Sequence, residues 1–136
     1  MSILIYVIDL WANDVYQHPM TTLQTVVELP EFLRRAGVIM TEVERLSMVD
    51  YIAANPEAGV SLGAGLRKVR IPREGGGKSG GYRTIYVFGG SHMPIFLVTV
   101  FAKNEKDNLS KMELAAAIKL SKLLLDTYGE ITNERP

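Results

Sequence analysis

Six basic side chains and a single acid, Glu74, share one short stretch, residues 63–86, which therefore carries a net charge of +5. The cations are Arg67, Lys68, Arg70, Arg73, Lys78 and Arg83. Residues 1–62 sum to −5 and residues 87–136 to 0, so the overall charge of zero hides a concentrated positive site. Such a patch attracts anions regardless of net charge, although a solvated charged hairpin is an alternative explanation.

Glycine surrounds the middle of this stretch, because residues 75–77 and 80–81 are all Gly and Lys78 lies between them. Residues without a Cβ let backbone N–H groups approach a bound oxyanion closely, which favours phosphate as the ligand. The run GGGKS also suggests the phosphate loop of nucleotide hydrolases, but that spacing needs Gly at the position of Pro72. It also needs a helix after the loop, whereas a strand-like run begins at Tyr82. A nucleotide hydrolase is therefore disfavoured.

Length and composition bound the class of protein. The 136 residues predict one domain, and 47% hydrophobic residues are enough to build a core. The absence of Cys excludes disulfides and thiolate zinc sites. No apolar run reaches the roughly 18 residues that cross a bilayer, and no secretory signal is recognisable, so we expect a cytoplasmic protein with no membrane partner.

The first residues differ in character from the rest of the chain. Residues 3–11, ILIYVIDLW, form either a short buried strand or an apolar tail. Because a segment that looks complete in itself opens at Met20, we expect residues 1–19 to be a dispensable N-terminal extension. Residues 20–136 are then expected to form the single domain.

Hydrophobic periodicity and capping signals predict three helices and four strands. One helix begins at Pro30 and is stopped by Gly37, while the capping-box pair Thr41 and Glu44 opens a second, over about 41–54. The same spacing at residues 110 and 113 opens a third, to about residue 128. Strands are expected at residues 23–29, 66–71, 82–88 and 95–102, the last as a central strand covered on both faces. Which face of strand 82–88 is buried stays open.

Alternation along residues 66–71 assigns basic side chains to faces of a strand. Arg67, Val69 and Ile71 share one face, and we expect Val69 and Ile71 to contact the core. Lys68 and Arg70 then project together from the other, open face, about 7 Å apart. Two cations at that separation can contact oxygens of one phosphodiester region.

The order of these segments resembles a known family. Residues 63–104 combine the strand GLRKVR, a glycine-rich basic loop, GGYRTIYVF, a turn and MPIFLVTVFAKNEK, and this arrangement is similar to the RelE/HigB toxins of type II toxin–antitoxin systems. The resemblance covers about Leu23 to Leu125. It implies an α+β fold, with a compact antiparallel sheet of about four strands, two N-terminal helices and a C-terminal helix.

The same resemblance implies a function and partners. Proteins of this kind cut messenger RNA in the ribosomal A site. They bind a cognate antitoxin from the same operon, often a helix-turn-helix protein of the HigA type. Operator DNA would be a partner only through that antitoxin.

The candidate site residues fall into two groups, and the resemblance implies roles for residues 68, 70, 73, 78, 83 and 103. The catalytic candidates are Lys68, Arg70, Arg83 and Lys103. The candidates for binding RNA or phosphate are Arg67, Arg73, Lys78 and Phe101. A core role is the alternative for Phe101, and a strand-end charge in water is the alternative for Lys103. Some family members have an Arg and a catalytic Tyr where this chain has Asn104 and Leu109, so the general base stays open.

Cleavage of RNA needs few functional groups beyond those of these residues. In RNA the 2′-OH is the built-in nucleophile, so an enzyme must align it with the phosphate, move two protons and stabilise negative charge. No metal and no cofactor are expected. His18 and His92 are expected to be structural or solvent-exposed, which leaves Lys68 as a proton acceptor and Arg83 as a phosphate partner. The alternative in another class is a non-catalytic protein whose basic patch holds RNA or an acidic partner helix.

Overall fold

A computed structural model describes residues 2–4, 23–73 and 80–129 of the chain. In these ranges six strands form one sheet, in the spatial order β1-β2-β6-β5-β4-β3. The strands are β1 (Ser2–Leu4), β2 (Val26–Glu28), β3 (Val60–Gly63), β4 (Leu66–Ile71), β5 (Tyr82–Val87) and β6 (Ile95–Ala102). The helices are α1 (Pro30–Ile39), α2 (Glu42–Ala54) and α3 (Lys111–Leu124), and a π-helical turn, Leu125–Gly129, follows α3.

The helix starts follow the capping signals in the sequence. The Thr41 hydroxyl accepts the Glu44 N–H at 3.1 Å, and the Glu44 carboxylate accepts the Thr41 N–H at 2.9 Å. The same reciprocal pair, formed by Ser110 and Glu113, opens α3. The expected end of α1 was wrong, because Gly37 lies inside the helix, which continues to Ile39. One glycine costs a helix only about 1 kcal/mol, which packing of the buried residues of α1 outweighs.

The sheet departs from the expected antiparallel sheet of about four strands. β2 runs parallel to β6, so the sheet is mixed. β3 was not expected, and β1 corresponds to the strand that was the less favoured alternative for the first residues. β1 pairs antiparallel with β2 at one edge, with Ser2 opposite Glu28 and Leu4 opposite Val26. That edge strand comes from the segment expected to be a dispensable extension, and its dispensability stays a prediction.

The other edge strand, β3, was missed because its residues are mostly exposed and show no apolar face. Gly59 lets the chain approach β4 there. Its φ is +79°, and a Cβ at this position would lie 2.1 Å from the carbonyl oxygen of Lys68. Any other residue would push β3 away from the strand that carries the basic side chains.

The sheet is covered by helices on both faces, which creates two cores. The first core lies beneath α1 and α2 and includes Phe32, Met48, Ile52, Val69 and Tyr86. The second core lies beneath α3 and includes Leu66, Ile85, Val87, Phe96 and Ala117. All six residues of β5 are buried. The sequence did not decide which face of this strand is buried, and in the structure both faces are. None of the helices that the structure describes is long and apolar enough to cross a membrane.

Candidate functional site

Strand register brings three of the predicted catalytic residues onto one face of the sheet. Arg70 on β4 lies directly opposite Arg83 on β5, and Arg83 lies opposite Phe101 on β6. Lys68 lies two residues before Arg70 on the same face, next to Leu66 of the second core. Directly opposed residues in a sheet have Cβ atoms about 5 Å apart. We call Lys68, Arg70 and Arg83 the basic site.

The three cations differ in their access to water. Arg70 is exposed, Lys68 is half-buried and the Arg83 side chain is only 8% exposed. A buried guanidinium is costly unless it is paired, and one amino group of Arg83, Nη2, lies 3.0 Å from Oδ1 of Asp107. The other amino group, Nη1, is buried and has no hydrogen-bond partner among the described residues. Arg83 is therefore a buried charge with one paired amino group and one that makes no hydrogen bond within the described residues.

A loop lies over this site. Its residues 103–110 connect β6 with α3 and bring two polar side chains onto the cations. The Asp107 carboxylate pairs with Arg83, and Lys68 donates a hydrogen bond to the side-chain oxygen of Asn108. These loop residues were not predicted as part of the site. Because Asp107 is 24 positions from Arg83 and Asn108 is 40 positions from Lys68, no local pattern in the sequence indicated the contacts.

Ion pairs hold the loop at both ends. The Glu105 carboxylate accepts the Ala102 N–H at 2.9 Å and pairs with Arg35 of α1, and these contacts lower the pKa of Glu105. The Glu113 carboxylate pairs with Lys106 at 2.7 Å. That ammonium and the backbone N–H of Ser110 lower the pKa of Glu113 to about 2. Asp107 and Asn108 thus lie between two anchored points.

The two remaining candidates on β6 lie close to the basic site. Phe101 is 1% exposed and packs in the second core, with the Lys106 ammonium 5.1 Å from the centre of its ring. The structure therefore gives Phe101 the core role that was the alternative for it, and leaves no open ring face for a base. Lys103 follows β6 directly and is half-buried, and its backbone N–H bonds to the Gly81 carbonyl at 3.1 Å.

Arg67 and Arg73 lie on the side of the sheet that α1 and α2 cover. Arg67 shares the first-core side of β4 and donates hydrogen bonds to the carbonyl groups of residues 57, 58 and 59, the shortest at 2.7 Å. It therefore secures the turn before β3. Arg73 lies 5.9 Å from the ring centre of Tyr82 and lines a pocket of about 560 Å³ on the α2 side, together with Tyr51 and Arg70. Lys78 lies outside the described residues.

Tyr82 and Tyr86 of β5 point to the side of the sheet that α1 and α2 cover, and not to the basic site. The Tyr82 hydroxyl donates to the Ile39 carbonyl and to Glu44, and the Tyr86 hydroxyl donates to the carbonyl of Ala58 at 2.6 Å. Burial raises the pKa of both phenols. Each is therefore held protonated in the packing of the first core, which is a structural role.

The remaining titratable candidates are remote. His92 lies in the turn before β6, whereas Phe101 lies near the other end of that strand, about 20 Å along it at strand spacing. His18 lies outside the described residues. Within the described ranges, no group of three His, Cys, Asp or Glu side chains could hold a metal ion.

The fold is a helix-covered α+β sheet, and clustered cations of the kind found on β4 and β5 attract anions such as phosphate groups. The family model of the RelE toxin of the RelE/RelB toxin–antitoxin system matches residues 41–133, which is more than half of the chain. The chain therefore belongs to the RelE toxin family. The matched residues run from the N-cap of α2 to beyond α3 and contain the whole basic site and the loop over it. Membership implies a cognate antitoxin as a partner.

Proposed function

We propose that this toxin is an endoribonuclease that cuts messenger RNA in the ribosomal A site, using the 2′-OH of the RNA as nucleophile and no metal ion. The observation that carries the proposal is the buried guanidinium of Arg83, directly across the strand pair from Arg70 and on the same face as Lys68. A buried cation facing RNA stabilises developing negative charge more strongly than a solvated one, because little water screens it.

The phosphorus–oxygen bonds that form and break in this reaction all belong to the RNA. The 2′-oxygen attacks the adjacent phosphorus, the bond from phosphorus to the 5′-oxygen breaks, and the products are a 2′,3′-cyclic phosphate and a 5′-OH. One proton leaves the 2′-OH and another reaches the departing 5′-oxygen. The protein must supply alignment, two proton transfers and stabilisation of the extra negative charge on the pentacoordinate phosphate.

Each basic residue has a distinct role in this proposal. Arg83 donates hydrogen bonds to the non-bridging phosphate oxygens, since burial fixes the position of its side chain. Lys68, as a neutral amine, accepts the proton of the 2′-OH and becomes an ammonium. Arg70, which is exposed on the same face, holds the adjoining backbone. Lys103, at the end of β6, contacts the next phosphate. Arg67 is not included, because its guanidinium already binds three backbone carbonyl groups.

The partners follow from the family. The proposed antitoxin is a helix-turn-helix protein of the HigA type, and it alone contacts operator DNA. Action on ribosomes places the toxin in the cytoplasm under this proposal.

The direct test mixes the purified chain with ribosomes carrying a defined messenger RNA and maps the products by primer extension. We expect cuts within the reading frame, at codons in the A site, and much slower cutting of the same RNA without ribosomes. The chemistry of the ends tests the mechanism, because 2′-OH attack leaves a cyclic phosphate and a 5′-OH, whereas metal-activated water leaves the 2′-OH intact beside the break. Intact transcripts in the presence of folded, RNA-bound protein would rule out the enzyme and favour a non-catalytic RNA-binding protein.

A further inference from the structure

The basic site is occupied in the free protein by side chains of its own loop. Asp107 places a carboxylate oxygen 3.0 Å from Nη2 of Arg83, and Asn108 places its amide oxygen on the ammonium of Lys68. A carboxylate and a phosphodiester are alike in one respect, since each spreads a single negative charge over two oxygens that accept hydrogen bonds from a guanidinium. The two loop side chains therefore satisfy the cations as a bound nucleotide backbone would.

The pairing is incomplete on the side of Arg83. Nη2 has a partner, but Nη1 is buried without one among the described residues. An unpaired buried donor costs free energy. A ligand that engages both amino groups would remove that cost. Asp107 in its present position contacts Nη2 and does not remove that cost.

The two partners of this ion pair also differ in freedom. The Asp107 side chain is 61% exposed and can turn into water at little cost, whereas the Arg83 side chain is 8% exposed and has no comparable route out. Ion pairs at Glu105 and Glu113 hold the loop ends in place, so the exchange needs only side-chain rotation between them. Arg83 and Lys68 can therefore stay in place while the side chains of Asp107 and Asn108 move away from them.

We propose that Asp107 and Asn108 occupy the phosphate subsite of the free toxin, and that RNA binds by taking their place on Arg83 and Lys68. The incoming phosphate contacts both Nη1 and Nη2, and the loop side chains move into solvent. Because each phosphate must displace an internal partner, short unstructured RNA binds weakly. The favoured substrate is RNA held in position by further contacts, such as those of a larger ribonucleoprotein. This inference rests on the proposed function of the same site.

Binding of an RNA that cannot be cut tests the exchange separately from cleavage. The probe is a short single-stranded oligonucleotide with 2′-O-methyl groups, measured by fluorescence anisotropy. Asp107→Asn should bind it about tenfold more tightly than the parent chain, because the charged competitor for Arg83 is gone. Its log–log salt slope should be steeper by about 0.7, the value of one additional phosphate contact. Asn108→Ala should bind about threefold more tightly without any change of charge.

The matched control is Asp126→Asn, which removes the same charge from an exposed position beyond the far end of α3. That helix has 14 residues, so this position is about 20 Å from the loop. The control should bind the probe within twofold of the parent. Binding by Asp107→Asn or Asn108→Ala that is no tighter than the control overturns the proposal. Thermal melting of each variant checks that it is folded.

A cleavage measurement separates this proposal from a catalytic role of Asp107. Under single-turnover conditions with saturating ribosome complex, Asp107→Asn should cut within about threefold of the parent rate. A loss of a hundredfold or more would make Asp107 a proton donor or acceptor and overturn its assignment as a displaced occupant. Absence of cutting by the parent chain would instead contradict the proposed function, while the binding results would still decide the exchange.

Discussion

Arg83→Lys separates the geometry of the basic site from its charge. The substitution keeps one positive charge near the start of β5, but it replaces a planar group with several donors by a mobile ammonium. One amino group of Arg83 binds Asp107, and the other has no partner among the residues that the structure describes. A lysine nitrogen can occupy only one of those two positions at a time.

The expected effect follows from that loss of one fixed donor. Removing a single preorganised donor to a developing negative charge slows an enzyme by about 10²- to 10³-fold, on the order of 3 to 4 kcal/mol of barrier. RNA affinity should change by less than about threefold, because the charge that attracts the backbone is retained. The loss should therefore appear in the cleavage step and not in binding.

The assay is single-turnover cleavage at saturating ribosome–mRNA complex, with affinity measured in parallel. Arg34→Lys is the control, since Arg34 is exposed on α1 and pairs with Glu31 of the same helix. It should cut at the parent rate. If Arg83→Lys cuts within about threefold of the parent, the effect is under 1 kcal/mol and Arg83 only attracts the backbone. That result would refute the role assigned to its fixed geometry.

Three further changes test the site and its scaffold. Replacing Lys68 and Arg70 together by Ala should leave the fold intact and flatten the salt dependence of single-stranded RNA binding, by a slope of about 0.7 per contact. An unchanged slope in the folded double variant would contradict their position on the RNA side. Arg45→Ala leaves the fully buried Glu28 carboxylate without its cation and should lower the free energy of unfolding in urea by about 3–5 kcal/mol. Glu28→Gln should cost less, because Arg45, whose side chain is 17% exposed, keeps Glu42 as a second carboxylate partner. Equal losses of unfolding free energy in the two variants would contradict this expectation. Finally, the Glu113 carboxylate stabilises the fold above its unfolded pKa near 4.5, and that contribution is lost as the pH falls toward 2. Glu113→Gln should therefore make the melting temperature less dependent on pH between pH 5 and 2. If the variant and the parent show the same pH dependence in this range, the Glu113 carboxylate does not contribute.

The sequence predicted best those elements whose signals are local. The starts of α2 and α3 depend on side-chain contacts within one turn, so Thr41 and Ser110 could be identified as caps from spacing alone. β6 was predicted as a central strand from its unbroken apolar run, and it lies between β2 and β5. The face of β5 could not be chosen from alternation, because helices cover both faces and every one of its residues is buried.

Pairing between distant segments was less accessible. β3 was missed because its residues are mostly exposed, and its place beside β4 depends on the backbone conformation of Gly59. The parallel pairing of β2 with β6 joins residues about 70 positions apart. The residues of the two strands do not indicate whether they pair parallel or antiparallel. Asp107 illustrates the same point in the site, since its contact with Arg83 exists only after β6 and the loop are in place.

The net charge of residues 63–86 overstates the number of cations that act together, because the strands are pleated. Successive residues of a strand point to opposite faces, so neighbouring cations are separated by the thickness of the sheet and do not act together. Alternation alone had placed Arg67 with Val69 and away from Lys68, and the structure agrees: Arg67 binds carbonyl groups on the first-core side. The functional quantity is the charge on one face, which here comes from Lys68, Arg70 and Arg83. The loop carboxylate of Asp107 offsets part of it until RNA displaces that side chain under our proposal.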